Sequence, residues 1–151
     1  MATNEAVVRA RPEDVFRVLA DGKRYADWVV GAKRIRRTDP GFPKKGTRLH
    51  HSVGGAGVTI DDSTKVLDVD APHRLVLEAR VRPVGRALVE LVVEPHRRGS
   101  LVRMHERVLH VPSVLNRVLA PLIGVRNAES LRRLRAIAEA EGSSRRKRRK
   151  G

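Results

Sequence analysis

Near residue 106 the sequence alternates with period two: Val102, Met104, Glu106, Val108 and His110 share one face of a strand, and Leu101, Arg103, His105, Arg107 and Leu109 share the other. The first set is the more apolar, so Glu106 is placed on the inward side. A carboxylate there must be paired, hydrogen-bonded or protonated, because an isolated buried charge is costly. His51 shares its strand face with Leu49 and Val53 and so also points inward. A carboxylate and an imidazole directed into one interior are the parts of a proton-transfer site. Each also has a structural use, Glu106 in an ion pair and His51 as a hydrogen-bonded core residue. Asn127 falls in a helical stripe with Ile123, Leu131, Leu134 and Ala138, where a polar group needs a partner: a ligand oxygen, or a neighbouring strand. Asp62 and Thr64 share a face with Val66, but Leu67 and Val69 occupy the opposite face, so the direction of this pair stays open.

Several chemistries are excluded. His50 and His51 are adjacent and would lie on opposite faces of a strand, which cannot chelate one metal, and no His-x-x-x-His spacing occurs. The chain has no cysteine, hence no disulfide, thiolate ligand or thiol nucleophile. No nucleophile elbow, phosphate-gripping Gly-Lys loop or dinucleotide fingerprint is present; the GGAG at 54–57 lacks a following helix and reads as a hairpin turn. No metal and no cofactor is therefore expected. What remains is a few polar groups among aliphatic walls, with Leu49, Val89, Leu91, Met104 and Leu131 as candidate walls. Tyr25 and Trp28, three apart on one side of a short helix, either close a cavity mouth or seal the core.

The elements that must position these residues follow from periodicity and punctuation. Residues 3–10 read as a strand, and Pro12, Glu13 and Asp14 start a helix with Val15, Phe16 and Leu19 on its apolar face. A second short helix covers 24–29, and a short strand lies near 33–38. From 47 to 110 the pattern is period two with breaks at 54–57, 70–73, 83–85 and 95–99, which gives five strands in hairpin connection. After Val111-Pro112 comes a long helix that Pro121 restarts or kinks and Gly142 caps. One long amphipathic helix is the only cover available for a sheet with one dry face, so it must cross that face. With only Phe16, Tyr25, Trp28 and Phe42 as rings, the space beneath it is expected to stay partly hollow.

The 151 residues suffice for one core, assigned to residues 1–142, with 143–151 a disordered polybasic tail. No stretch resembles a signal peptide or a membrane span, so a cytoplasmic protein is expected. The net charge is +15, and the run at 145–150 supplies six of the basic residues. A solvated basic surface explains most of this excess; contact with nucleic acid or an anionic membrane through 145–150 is the functional alternative.

The order and spacing of Arg11-Pro12-Glu13-Asp14-Val15-Phe16, Tyr25-x-x-Trp28, Gly46-Thr47, Asp62-x-Thr64-x-Val66, Pro72-x-Arg74-Leu75-Val76-Leu77, Arg82-Pro83-x-Gly85, Gly99-Ser100-x-Val102-x-Met104-x-Glu106 and Arg126-Asn127-x-Glu129-x-Leu131 resembles the polyketide cyclase/dehydrase-like branch of the START-related, Bet v 1-like superfamily over residues 3–140. The resemblance implies an α+β helix-grip fold, an antiparallel six- to seven-stranded sheet wrapped around a long C-terminal helix, with two short helices after the first strand. It further implies a hydrophobic small molecule, a lipid or polyketide-like compound, in an internal cavity. Under that reading Tyr25, Trp28, Asp62, Thr64 and Asn127 join the apolar walls in binding. In an aromatase/cyclase or dehydratase, Glu106 and His51 would move protons.

Overall fold

The computed structural model describes residues 1–55, 57–81 and 85–151. Seven antiparallel strands form one sheet in the order β1-β7-β6-β5-β4-β3-β2: β1 Ala2–Val8, β2 Ala32–Thr38, β3 Arg48–Gly55, β4 Val58–Asp70, β5 Arg74–Val81, β6 Gly85–His96 and β7 Gly99–Leu109. The first strand does not pair with its successor. It closes the far edge against β7, with Ala2 opposite Glu106 and Val8 opposite Ser100. Helices α1 (Pro12–Leu19) and α2 (Tyr25–Trp28), joined by a 3₁₀ turn at Gly22–Arg24, and the long α3 (Ser113–Lys150) cover one face. This is the helix-grip α+β architecture that the hairpin spacing and the terminal stripe imply.

The period-two expectations fix the buried face. On β7, Val102, Met104, Glu106 and Val108 are all buried, as are Ala87, Val89, Leu91 and Val93 on β6. The ambiguity at Asp62 and Thr64 is resolved by a β-bulge. Val66 pairs with Leu77 but Asp68 with Val76, so Leu67 is an extra residue and the alternation reverses across it. Asp62, Thr64 and Val66 therefore face inward before the bulge, and Val69 packs on the core after it. Leu131, Leu134 and Ala138 press the middle of α3 onto this core; complete burial of a leucine side chain stabilises by about 1.5–3 kcal/mol.

Four expectations need correction. The strand ends at Leu109, and His110 is an exposed bend residue with φ 59° rather than an inward one. Pro121 does not restart the helix: α3 is continuous through it, at the cost of one intrahelical bond for the missing N–H. Gly142 does not cap α3: it is buried and helical, and α3 runs on through the basic segment to Lys150 instead of giving way to a disordered tail. Arg and Lys are good helix formers, and cations at a helix C-terminus complement its dipole. Finally, the interior is almost filled. The cavity between α3 and the sheet measures only about 50 Å³, because Trp28, Leu49, Leu75, Leu91, Leu131 and Leu134 occupy most of the volume. Of the turns read from sequence, Ala56 in GGAG and residues 82–84 lie outside the described residues.

Candidate ligand-binding site

β7 carries Glu106 into the space between the sheet and α3, opposite Val89 on β6. Its side chain is 2 % exposed and meets two consecutive residues of α3. Asn127 donates from Nδ2 to Glu106 Oε2 over 2.8 Å, and the Arg126 guanidinium hydrogen-bonds to the same oxygen. Arg126 also lies 3.3 Å from Asn127 Oδ1. No hydrogen bond to Glu106 Oε1 occurs among the described residues. The buried charge is thus compensated, but asymmetrically: Asn127 is fully buried while the Arg126 side chain is 38 % exposed. The cluster connects the interior to solvent.

The cavity beside this cluster is lined by Tyr25, Trp28, Val29, Leu77, Ala79, Arg80, Val89, Met104, Glu106, Arg126, Asn127 and Ser130. Helix α2 supplies its aromatic wall. Trp28 meets Tyr25 edge-on with ring centroids 5.5 Å apart, a favourable arrangement of the ring quadrupoles. Its indole Nε1–H is buried and has no hydrogen-bond partner. Ser130 Oγ accepts from Val30 N over 3.1 Å, which ties the chain after α2 to α3.

A second polar group lies behind Tyr25. The Tyr25 ring stacks on His51 at 5.7 Å, and His51 Nε2 is 2.8 Å from Thr64 Oγ1. His51 Nδ1 is buried without a partner. Burial pushes the His51 pKa below its ordinary value; Asp62 pulls it up, and Arg36 and His50 push it down again. Burial raises the Tyr25 hydroxyl, against the pull of a hydrogen bond with Thr64 and the charge of Arg126. Asp62, 5 % exposed, pairs with Arg80 at 3.5 Å.

Tyr25, Trp28, Val89, Met104, Glu106 and Asn127 are therefore brought together on one cavity. His51 and Thr64 form a neighbouring cluster joined to it through Tyr25, and Asp62 touches it through Arg80. Leu49, Leu91 and Leu131 are packed in the core and do not border the cavity. Arg126 figures in the sequence only as part of the Arg126-Asn127-x-Glu129-x-Leu131 motif, with no role assigned to it. The usable signal is that an inward Glu106 demands a cation and that Arg126 adjoins the one polar member of the stripe. Among so many arginines, sequence alone offers no way to choose it.

The family model for polyketide cyclase/dehydrase and lipid transport matches residues 2–139. The chain belongs to this family. Its fold is also that of solved structures with little sequence likeness: a protein from Rhodobacter sphaeroides (21 % identity, TM-score 0.73, covering 91 % of each chain) and the protein NE0264 from Nitrosomonas europaea (14 % identity, TM-score 0.70, 92 % of this chain and 94 % of that one). The di-domain aromatase/cyclase StfQ of the steffimycin biosynthetic pathway is similar at 12 % identity and TM-score 0.72; the match covers 93 % of this chain and 51 % of StfQ. No curated protein matches the chain.

Proposed function

We propose that this family member binds an apolar small molecule bearing one or two oxygen functions, a lipid or polyketide-like compound, between α2, α3 and the sheet. The observation that carries this reading is the unpartnered Trp28 Nε1–H on the wall of a cavity that also borders Glu106, Arg126 and Asn127. A buried donor without an acceptor costs about 1–3 kcal/mol, and a ligand carbonyl or hydroxyl would recover it. Apolar Leu77, Val89 and Met104 would cover the rest of such a ligand.

A space of about 50 Å³ holds little more than a water-sized group, so a larger ligand requires the walls to part. The first half of α3 is the wall least held by packing: Val114, Val118, Leu122 and Val125 are 63 % to 74 % exposed, and Pro121 leaves the Arg117 carbonyl without its helical donor. Native mass spectrometry of gently purified protein, followed by solvent extraction, tests binding. A bound apolar species is expected; repeated recovery of ligand-free protein, with no uptake of added palmitate or 1-tetralone, would contradict it.

The free Glu106 Oε1 favours a second reading, catalysis of aldol-type closure. Glu106 would take a proton from the carbon between two ketones, and Arg126 and the Trp28 N–H would stabilise the enolate oxygen. That carbon would then add to another carbonyl of the chain and the protonated Glu106 would return its proton to the new alkoxide; Glu106 would next take the second proton of the attacking carbon and deliver it to the departing hydroxyl, which leaves as water. Glu106→Gln should abolish turnover of a poly-β-keto thioester while the fold persists. Unchanged turnover would eliminate this reading and leave binding intact.

A further inference from the structure

A second concavity lies at the opposite end of β1 from Glu106, roughly 20 Å away at about 3.3 Å per residue. It measures about 450 Å³ and is bordered by Arg9, Arg11, Arg98 and Arg146, with Asp14 and Gly142. The four arginines come from three separate places in the chain: the β1–α1 connection (Arg9 and Arg11), the β6–β7 turn (Arg98) and the last turns of α3 (Arg146).

Backbone fit holds these places together. A Cβ on Gly99 would fall 2.5 Å from the Val8 carbonyl oxygen, so only glycine lets the turn bearing Arg98 press against β1. Ser100 Oγ donates to the Ala10 carbonyl over 2.6 Å. A Cβ on Gly142 would meet the Ala10 methyl at 3.4 Å, so α3 passes directly over this floor; Arg146, one turn later on the same helix face, is carried to its rim. Asp14 offsets Arg11, at 3.3 Å, and Arg17, at 3.1 Å, but pairs with none of the other three arginines of the site. Among the described residues no carboxylate pairs with Arg9, Arg98 or Arg146.

Arg9, Arg98 and Arg146 thus border one concavity with no carboxylate paired to them, and like charges so placed repel. Guanidinium groups are also the side chains best matched to phosphate oxygens, by paired N–H donors. We propose that this arginine cleft binds the phosphate groups of a phosphate-bearing ligand, either a soluble polyphosphate or a lipid headgroup. The basic segment at 145–150 then contributes a defined residue, Arg146, rather than only diffuse charge. A volume of this order falls in the range of small-molecule sites.

The test uses the full chain at low salt, titrated calorimetrically with inorganic pyrophosphate and, separately, sedimented with phosphatidylcholine vesicles with and without phosphatidic acid. The double variant Arg98→Ala/Arg146→Ala is compared with Arg34→Ala/Arg107→Ala, which removes equal charge from exposed strand positions outside the cleft. The cleft variant, which loses two charge-assisted contacts, should bind at least about tenfold more weakly, and the strand variant should stay within about twofold. Loss confined to pyrophosphate assigns a soluble ligand; loss confined to phosphatidic acid vesicles assigns a headgroup. Absence of binding in both arms, or equal weakening by the two variants, would overturn the proposal. Neither result bears on the Glu106 cavity.

Discussion

Glu106 and Arg126 share one carboxylate oxygen's worth of contact across the boundary between interior and solvent, with Glu106 2 % and Arg126 38 % exposed. The pair is therefore unequal when cut. Arg126→Ala leaves a charge stranded inside the protein. Glu106→Gln leaves a guanidinium that can turn to water and an amide that fits the same space.

Denaturant unfolding at neutral pH should accordingly show the Arg126→Ala variant as the less stable of the two. Loss of one partner of a buried pair costs about 3–5 kcal/mol; with Arg126 partly screened, the lower end is expected. Glu106→Gln should cost about 1–2 kcal/mol. The reverse order would mean that Glu106 does not depend on Arg126.

His51 gives a pH dependence. Burial holds its pKa below the ordinary 6.5, so the unfolded chain binds a proton at higher pH than the native one does. The stability it contributes is complete above about pH 6.5 and is lost as pH falls from there through the native pKa, with a slope of at most about 1.4 kcal/mol per unit. Replacing His51 with Gln should flatten the stability profile between about pH 6.5 and 5. An unchanged slope would show that other groups govern this window. Glu129, held at about 2 by Arg132 and Arg133, is half-buried; its contribution is complete above about pH 4.5 and is lost only as pH falls below that, outside the His51 window.

Gly142 distinguishes the helical from the capped state of the chain end. It adopts no positive φ, and a Cβ there would make ordinary contact with Ala10. Gly142→Ala should stabilise by up to about 1 kcal/mol through helix propensity and leave far-UV helicity at least as high. A left-handed cap at this position would make the same change destabilising. Gly99→Ala is the contrasting case: φ is 135° and the added carbon meets the Val8 carbonyl, so marked destabilisation is expected.

Much of this architecture could be read from residue order. The alternation on β6 and β7 gives the buried face, and the stripe through Leu131, Leu134 and Ala138 gives the face of α3 that meets it. The failures have local physical causes. Asp62 and Thr64 stayed ambiguous because the extra residue Leu67 reverses the period, and a bulge depends on pairing with β5 rather than on local composition. Gly142 resembled a cap because a glycine before two serines and a basic run carries the usual stop signal. The helix continues there because α3 packs over Ala10, a contact between residues far apart in sequence that leaves room for a Cβ at 142. The small cavity was missed because aliphatic side chains, given freedom to interdigitate, fill space as well as rings do.

Ligand binding here requires the apolar cavity to accept a ligand oxygen at its polar wall. Trp28 is the chain's only tryptophan, so its indole N–H gives one resolvable cross-peak in a proton–nitrogen correlation spectrum. Titration with 1-tetralone and with palmitate should move that peak saturably for at least one of them, and Arg126→Ala should weaken the response. An indole peak that stays in place throughout both titrations would contradict the proposed site.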